Sequence, residues 1–351
     1  MEDIVRDFTD DELKRLEKRL DAVYGQAAEE MTARLEDHIQ RFDAQNERWR
    51  QAVAEGRATA EEWADWRRGV SVEGRWVADM AADLSDSAVN VDVMARDIVN
   101  DTIPTVYAHS ADLTAYQIER DIGWMTHSFD LVNEDAVREL VTMGEDEQLI
   151  HEVIPVGPPK PRVQSLRVNL DRARDVRWNR QKFHSAITQS VLQGESIPRV
   201  SARLMNVLNM DRNMAVRAAR TAITAAENMG RTRTYDRAVS LGIDMKQQWI
   251  ATHDERTRSE HRALDGQIVN VGEPFEVDGY ELMYPADPAA PPYLTYNCRC
   301  RTVAYFDDVQ DPDGFWTEFP NGMTYDEWEV AQPRPRRSGG RSRSGGRGRR
   351  R

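Results

Sequence analysis

Leu13, Leu16, Leu20, Tyr24, Ala27, Met31, Leu35, Ile39 and Phe42 follow one another at spacings of three and four. At 3.6 residues per turn these positions share one face, so the spacing predicts a long amphipathic helix over residues 10–42. Thr9 followed by Glu12 fits a capping box, which would start that helix by satisfying its first backbone donors. Further helical patterns cover 60–68 and 72–100, with breaks at Gly56 and Gly69 and an end at Pro104. Trp63, Trp66 and Trp76 are expected to pack these helices together.

Shorter helices are expected across 111–155, then the proline-rich VIPVGPPKPRV at 153–163 reads as a linker. Helical patterns return at 176–193, 197–208 and 212–240, punctuated by Gly194 and Pro198 and closed by Gly242. Beyond Gly242 the pattern becomes β-type in KQQWIA (246–251), QIVNV (267–271) and RTVAYF (301–306), with a hairpin turn expected at Asp278–Gly279. The class is therefore α+β: mainly α-helical, with a small C-terminal α+β module. The expected divisions are a helical region at 1–152, a linker at 153–163, the module-bearing domain at 164–308, an acidic aromatic arm at 309–330 and a tail at 331–351. The arm, DPDGFWTEFPNGMTYDEWEV (311–330), suits either docking on the body or binding a partner.

The formal net charge of −13 conceals two opposed parts. The tail carries nine arginines, Arg334, Arg336, Arg337, Arg341, Arg343, Arg347, Arg349, Arg350 and Arg351, and no acid; the first 330 residues hold 38 Lys and Arg against 60 Asp and Glu. A stretch of Gly, Ser, Pro and Arg cannot bury enough apolar surface to order itself, so the tail is expected to be disordered. Its charge suits sequence-blind contact with nucleic acid, or with the acidic body of the protein itself. No apolar run approaches the roughly 18 residues of a membrane span, and the acidic MEDIVRDFTDDEL does not read as a signal peptide. Residence in a cytoplasm is the expectation.

Cys298 and Cys300, in YNCRCR, are the two cysteines of the 351-residue chain. At i and i+2 of a strand their sulfurs point to one face and can meet one cation, whereas a disulfide between them would close a small strained ring. Zinc prefers four thiolate, imidazole or carboxylate donors. ATHDERTRSEHRALDG (251–266) supplies His261, with His253 or Asp254 as a further candidate. Buried inert thiols and a redox role remain the alternatives. Asp254, Arg256, Arg258 and His261 also have the chemistry for acid–base work on phosphate. No phosphate-binding loop, dinucleotide fingerprint or nucleophile elbow accompanies them.

The ordered series RTAITAAEN (220–228), KQQWIATHDERTRSEHRALDGQIV (246–269), the phenylalanine of EPF, the proline of YPADP and NCRCR (297–301) resembles the phage Mu protein F-like minor head proteins, or phage head morphogenesis proteins. The resemblance covers roughly 175–305 and rests on Arg220, Thr221, Trp249, Asp254, Arg256, His261, Gly266 and the two cysteines in order. It implies a non-enzymatic minor component of a tailed-phage head, found in the virion and assembled in the host cytoplasm. The implied partners are the portal protein and a major capsid or scaffold protein, with DNA met through the tail. It also implies that the Asp, Arg, His and Cys positions share one site, with zinc as the candidate ion. The competing reading is a metal-dependent DNA-processing enzyme or a toxin-like effector carrying the same module.

Overall fold

The computed structural model describes residues 3–71, 75–142, 163–170, 177–178, 181–183, 185–186, 197–306 and 315–332. All but residue 163 of the linker expected at 153–163, most of the helix expected at 176–193, the side chain of Trp76 and the tail arginines lie outside the described residues.

Helix α1 runs Ile4–Ala54, longer at both ends than its apolar pattern. It starts at Asp3, whose carboxylate accepts the Arg6 backbone N–H at 3.1 Å, and not at the expected Thr9 box. Thr9 is instead inside the helix, buried, with its hydroxyl returned to the Val5 carbonyl at 3.0 Å. Leu16, Leu20, Tyr24, Met31 and Leu35 form the buried stripe, as their spacing requires. Past Ile39, which still packs against the core, the aromatic side chains of α1 meet α2, Ala60–Ser71. Trp66 stacks on Phe42 at 5.7 Å and on Trp49 at 6.0 Å, while the Trp63 indole donates to Asn46 at 3.0 Å.

Helix α3 spans Arg75–Ile122 and continues through Pro104, where an end was expected. Proline removes one i→i−4 hydrogen bond, but Val99, Ile103 and Val106 on that stretch are fully buried, and burial of this kind outweighs the lost bond. One turn earlier, the Asn100 side chain both donates to and accepts from the Val168 backbone, at 3.0 and 2.8 Å. After α3 come β1, Trp124–Met125, then α4, Glu134–Thr142, and a 3₁₀ turn, Val163–Leu166.

Helix α5, Ile197–Ser240, is continuous where two helices were expected. Its Pro198 sits in the first turn, where no donor is lost, and no Gly or Pro follows until Gly230. Gly230 marks the closest approach to α3: a Cβ there would lie 2.6 Å from the Tyr107 carbonyl oxygen and 3.1 Å from the Ala111 nitrogen. Four residues on, Thr234 donates to the Ala111 carbonyl at 2.9 Å. Helices α1, α3 and α5 share one hydrophobic core, which runs on into the C-terminal module through Trp249, Phe275, Leu294, Cys298 and Cys300.

That module holds β2 (Lys246–Ile250), α6 (Ser259–Leu264), β3 (Ile268–Asn270), β4 (Phe275–Val277), β5 (Tyr280–Leu282), α7 (Pro292–Thr295) and β6 (Arg301–Tyr305). The antiparallel order is β3-β2-β6, with Gln247 opposite Val269 and Trp249 opposite Thr302. β4 and β5 form the expected hairpin, turning at Asp278 and Gly279, which both adopt positive φ.

The acidic aromatic arm docks on the body. β7, Thr317–Glu318, pairs antiparallel with β1, and α8, Tyr325–Ala331, begins with a capping box formed by Thr324 and Glu327. Trp328 is fully buried and its indole donates to Glu119 at 2.6 Å; the other Glu119 oxygen accepts from the Thr126 amide and hydroxyl. Beside this contact Asp112 is buried, which pushes its carboxyl up to about 7. The Val132 amide opposes that shift, Glu329 of α8 adds to it and Arg233 of α5 opposes it.

Two outcomes follow. Gly230→Ala should lower unfolding free energy by about 1–3 kcal/mol, because two helix backbones must move apart; equilibrium denaturation reads this. Asp112 binds its proton more tightly folded than unfolded, so the stability it contributes is full below about pH 4 and is lost as pH rises through about 7. Asp112→Asn should remove that part of the pH dependence in thermal melts.

Candidate functional site

Along α5, Thr221, Thr224, Asn228, Arg231 and Tyr235 recur at three and four residues and so share one face. They lie against the backbone of 297–302, whose strand portion pairs with β2 along its other edge. The Asn297 amide donates to the Thr221 hydroxyl at 3.1 Å, and the Thr224 hydroxyl donates to the Cys298 carbonyl at 3.0 Å. The Asn228 carboxamide donates to the Cys300 carbonyl at 3.3 Å and accepts the Thr302 amide at 3.0 Å. The Tyr235 hydroxyl donates to the Thr302 carbonyl at 3.3 Å. A strand edge that meets a helix has no backbone ladder on that side, so buried polar groups there need side-chain partners. This stripe provides them.

The stripe ends in a buried ion cluster. Arg231, 2% exposed, donates to Glu227 at 2.9 Å and to Asp3 at 2.7 Å, and Arg301 reaches Asp3 at 2.7 Å. Burial pushes the Glu227 carboxyl up. Burial also works to raise Asp3, but Arg231, Arg6 and Arg301 overcome it and hold Asp3 below the usual carboxylate range. The residue that caps α1 is thus fixed to α5 and β6.

Held in this way, the two cysteines face His261 on α6. The His261 Nδ1 lies 3.3 Å from the Cys300 Sγ and 3.8 Å from the Cys298 Sγ, and its Nε2 bonds the Leu294 carbonyl at 2.9 Å. All three residues are buried, and their donor atoms lie within 4.8 Å of one another. The cysteines sit just before β6 in an irregular extended segment, not within a strand. The Cys300 thiol is brought down, first by the hydrogen bond from Cys298 and then, against burial, by His261 and the Trp249 indole. The Cys298 thiol is pushed up by its bond to Cys300 and by burial. Two thiols and an imidazole so disposed can hold a metal ion.

His253 and Asp254, the other candidate ligands, stand outside this group. His253 is exposed and pairs with Asp265 at 3.2 Å. The Asp254 carboxylate takes both guanidinium nitrogens of Arg299, at 2.5 and 2.7 Å, and a bond from the Thr257 hydroxyl at 3.1 Å. These contacts hold it well below the usual carboxylate range, Arg299 contributing most. Arg256 is exposed; its backbone amide donates to the Asp254 carboxylate at 3.0 Å, while its guanidinium lies 3.7 Å away. Arg220 makes a bidentate pair with Glu17 of α1, at 2.6 and 3.1 Å. Gly266 takes φ +79° in the turn between α6 and β3, where its amide donates to the Trp249 carbonyl at 2.8 Å. The sequence reading passed over Thr224, Asn228 and Arg299; the polar spacing within the alanine-rich RTAITAAEN was the signal for the first two.

Residues 181–303 match the family model described as Phage Mu protein F like protein. Minor head protein GP7 of Bacillus phage SPP1 is 23% identical over 338 residues, 92% of this chain and 94% of that protein. NAD(+)–arginine ADP-ribosyltransferase EFV of Enterococcus faecalis strain V583 is 28% identical over 151 residues, 42% of this chain. The chain spans about a third of the length of that protein, with 31% of it covered. Uncharacterized protein YqbB of Bacillus subtilis strain 168 is 26% identical over 118 residues, 32% of this chain and 38% of that protein. No solved structure matches.

Asn228→Ala should cost about 2–4 kcal/mol, since it strands a buried carbonyl and a buried amide. Thr221→Ala, at a half-buried position, should cost under about 1 kcal/mol. Urea unfolding of the two variants checks the difference.

Proposed function

We infer from the Phage Mu protein F like match at residues 181–303, and from the likeness to an SPP1 minor head protein along 92% of the chain, that this protein is a structural minor head protein of a bacteriophage. It acts in head morphogenesis and resides in the virion, and it reaches the head from the cytoplasm of the host, where heads assemble. The near-complete overlap in length with the head protein carries this reading, because it takes in the helical body as well as the module. The portal protein is the partner the reading favours, with a major capsid or scaffold protein as a second, and packaging or genome delivery as the stage. Among the described residues no helix is long and apolar enough to cross a membrane. The nine arginines of residues 334–351 supply the charge for contact with packaged DNA.

An enzymatic reading has less support. The similarity to the ADP-ribosyltransferase leaves more than two thirds of that protein uncovered. Asp254 is engaged by Arg299, and His261 is buried with both ring nitrogens engaged, so neither suits proton transfer to a substrate.

Zinc is the ion we assign to His261, Cys298 and Cys300. Around a tetrahedral ion with bonds of about 2.3 Å to sulfur and 2.0 Å to nitrogen, S···N separations come to about 3.5 Å; those here are 3.3 and 3.8 Å. The bond from Nε2 to the Leu294 carbonyl leaves the Nδ1 lone pair to the metal, the usual outer-shell arrangement for a ligating histidine. The buried indole N–H of Trp249 has no nitrogen or oxygen acceptor and lies beside Cys300, which suits a charged sulfur. Among the described residues no fourth His, Cys, Asp or Glu joins the group, so a non-protein ligand would complete the shell. Such an ion would tie α6 to the segment before β6.

Low-copy recovery of the protein from purified heads, together with portal protein, is the expected result; absence from both immature and mature heads would sink the assignment. Elemental analysis should find about one zinc per chain, lost in Cys298→Ser/Cys300→Ser and kept in His253→Ala. A metal-free wild-type chain would remove the zinc assignment and leave the head reading standing.

A further inference from the structure

The segment YNCRCR divides between inside and outside. Cys298 and Cys300 are buried, whereas Tyr296 and Asn297 form the exposed turn after α7, with Tyr296 44% exposed. Asn297 adopts φ +52°, a conformation that is uncommon outside glycine and that recurs at binding sites. The turn keeps it because both flanks are fastened. The Tyr296 amide donates to the Pro292 carbonyl at 2.9 Å and the Asn297 amide to Thr221 at 3.1 Å, while the Cys298 carbonyl accepts from Thr224. Two arginines from different helices then meet at Tyr296. The Arg217 guanidinium of α5 lies 5.3 Å from the centre of its ring, and Arg258, at the start of α6, donates to its carbonyl at 2.5 Å.

Among the described residues neither Arg217 nor Arg258 forms an ion pair, although Glu260 lies near Arg258. The arginines beside them are paired, Arg220 with Glu17 and Arg299 with Asp254. What stands outward is therefore a ring and a carboxamide held in place, with two guanidiniums that have no carboxylate of their own. Tyrosine and arginine carry much of the energy at protein interfaces, and a tyrosine ring loses little entropy on binding. A phosphate backbone fits less well, because it rewards bare cations and here would face Glu17, Asp254 and Glu260. The nine arginines of 334–351 stand among no acids and suit that role better.

We propose that Tyr296, Asn297, Arg217 and Arg258 form a docking tip for an acidic protein surface on another component of the phage head. This rests on the head reading and adds to it the surface and the chemistry of the contact. Carboxylates of the partner pair with the two guanidiniums, the ring supplies contact area, and complementary charge sets the register. The buried half of the segment, held by α5 and His261, is the anchor from which the tip is presented.

Heads assembled with variants in place of the wild-type chain test this, the readout being copies of the chain per purified head, in DNA-free immature heads and in filled heads. Arg217→Gln is expected to lower incorporation about tenfold and Arg217→Glu, which adds repulsion, about a hundredfold. Tyr296→Ala should lower it about tenfold, and all three exposed substitutions should leave the melting temperature unchanged. Lys18→Ala/Arg48→Ala takes two charges from the exposed face of α1 and should leave incorporation at the wild-type level. Equal incorporation of Arg217→Gln and Arg217→Glu would overturn the acidic partner, and wild-type incorporation of all three variants would overturn the surface. Loss in filled heads alone, with immature heads unaffected, would assign the tip to DNA and overturn the proposal. Those failures leave the head reading standing; a wild-type chain missing from both kinds of head would sink that reading and the proposal with it.

Discussion

The segment 297–302 has sheet on one side and helix on the other, and that asymmetry governs the module. β2 pairs with β6 along one edge, but the opposite edge faces α5, where no backbone ladder is possible. Hydroxyl, carboxamide and phenol groups of Thr221, Thr224, Asn228 and Tyr235 take the place of a neighbouring strand. Leaving such groups buried and unpaired costs about 1–3 kcal/mol each, so the segment has one well-satisfied position along the helix. The sulfurs of Cys298 and Cys300 are presented from that position, and His261 meets them from α6.

The same helix links the module to the body. Arg231 continues the polar stripe into a cluster with Glu227 and Asp3, and Asp3 also caps α1 and meets Arg301 of β6. Gly230, on the neighbouring turn, lets α3 come close enough for a direct approach of the two backbones. The site, the N-terminal helix and the central helix pair are therefore joined through about three turns of α5. The module is thereby fixed to the helical body.

Much of this was legible in the sequence. The three-and-four spacing gave α1 its buried stripe, and Asp278–Gly279 gave the hairpin turn, because both depend on local geometry. The joint occurrence of His261 with Cys298 and Cys300 was legible through family order, and the structure brings the three together. Local rules failed where burial outweighed them. Pro104 did not stop α3, Thr9 was drawn inside α1 by Val5 and Asp3 before it, and α5 ran unbroken through residues 209–211. Asp254 looked like a ligand by residue type, but Arg299, between the two cysteines, takes its carboxylate. Partner choice among charged side chains is set by three-dimensional position, which no spacing in the sequence specifies.

If the α5 stripe sets the position of the cysteine segment, disturbing it must be felt across the module and not only at one bond. Amide hydrogen exchange of Asn228→Ala against wild type measures this directly. The account predicts a loss of protection that extends through 246–250, 259–264 and 297–305, while α1 and α3 keep theirs. A loss confined to the Thr302 amide, or unchanged protection throughout 297–305, would contradict it.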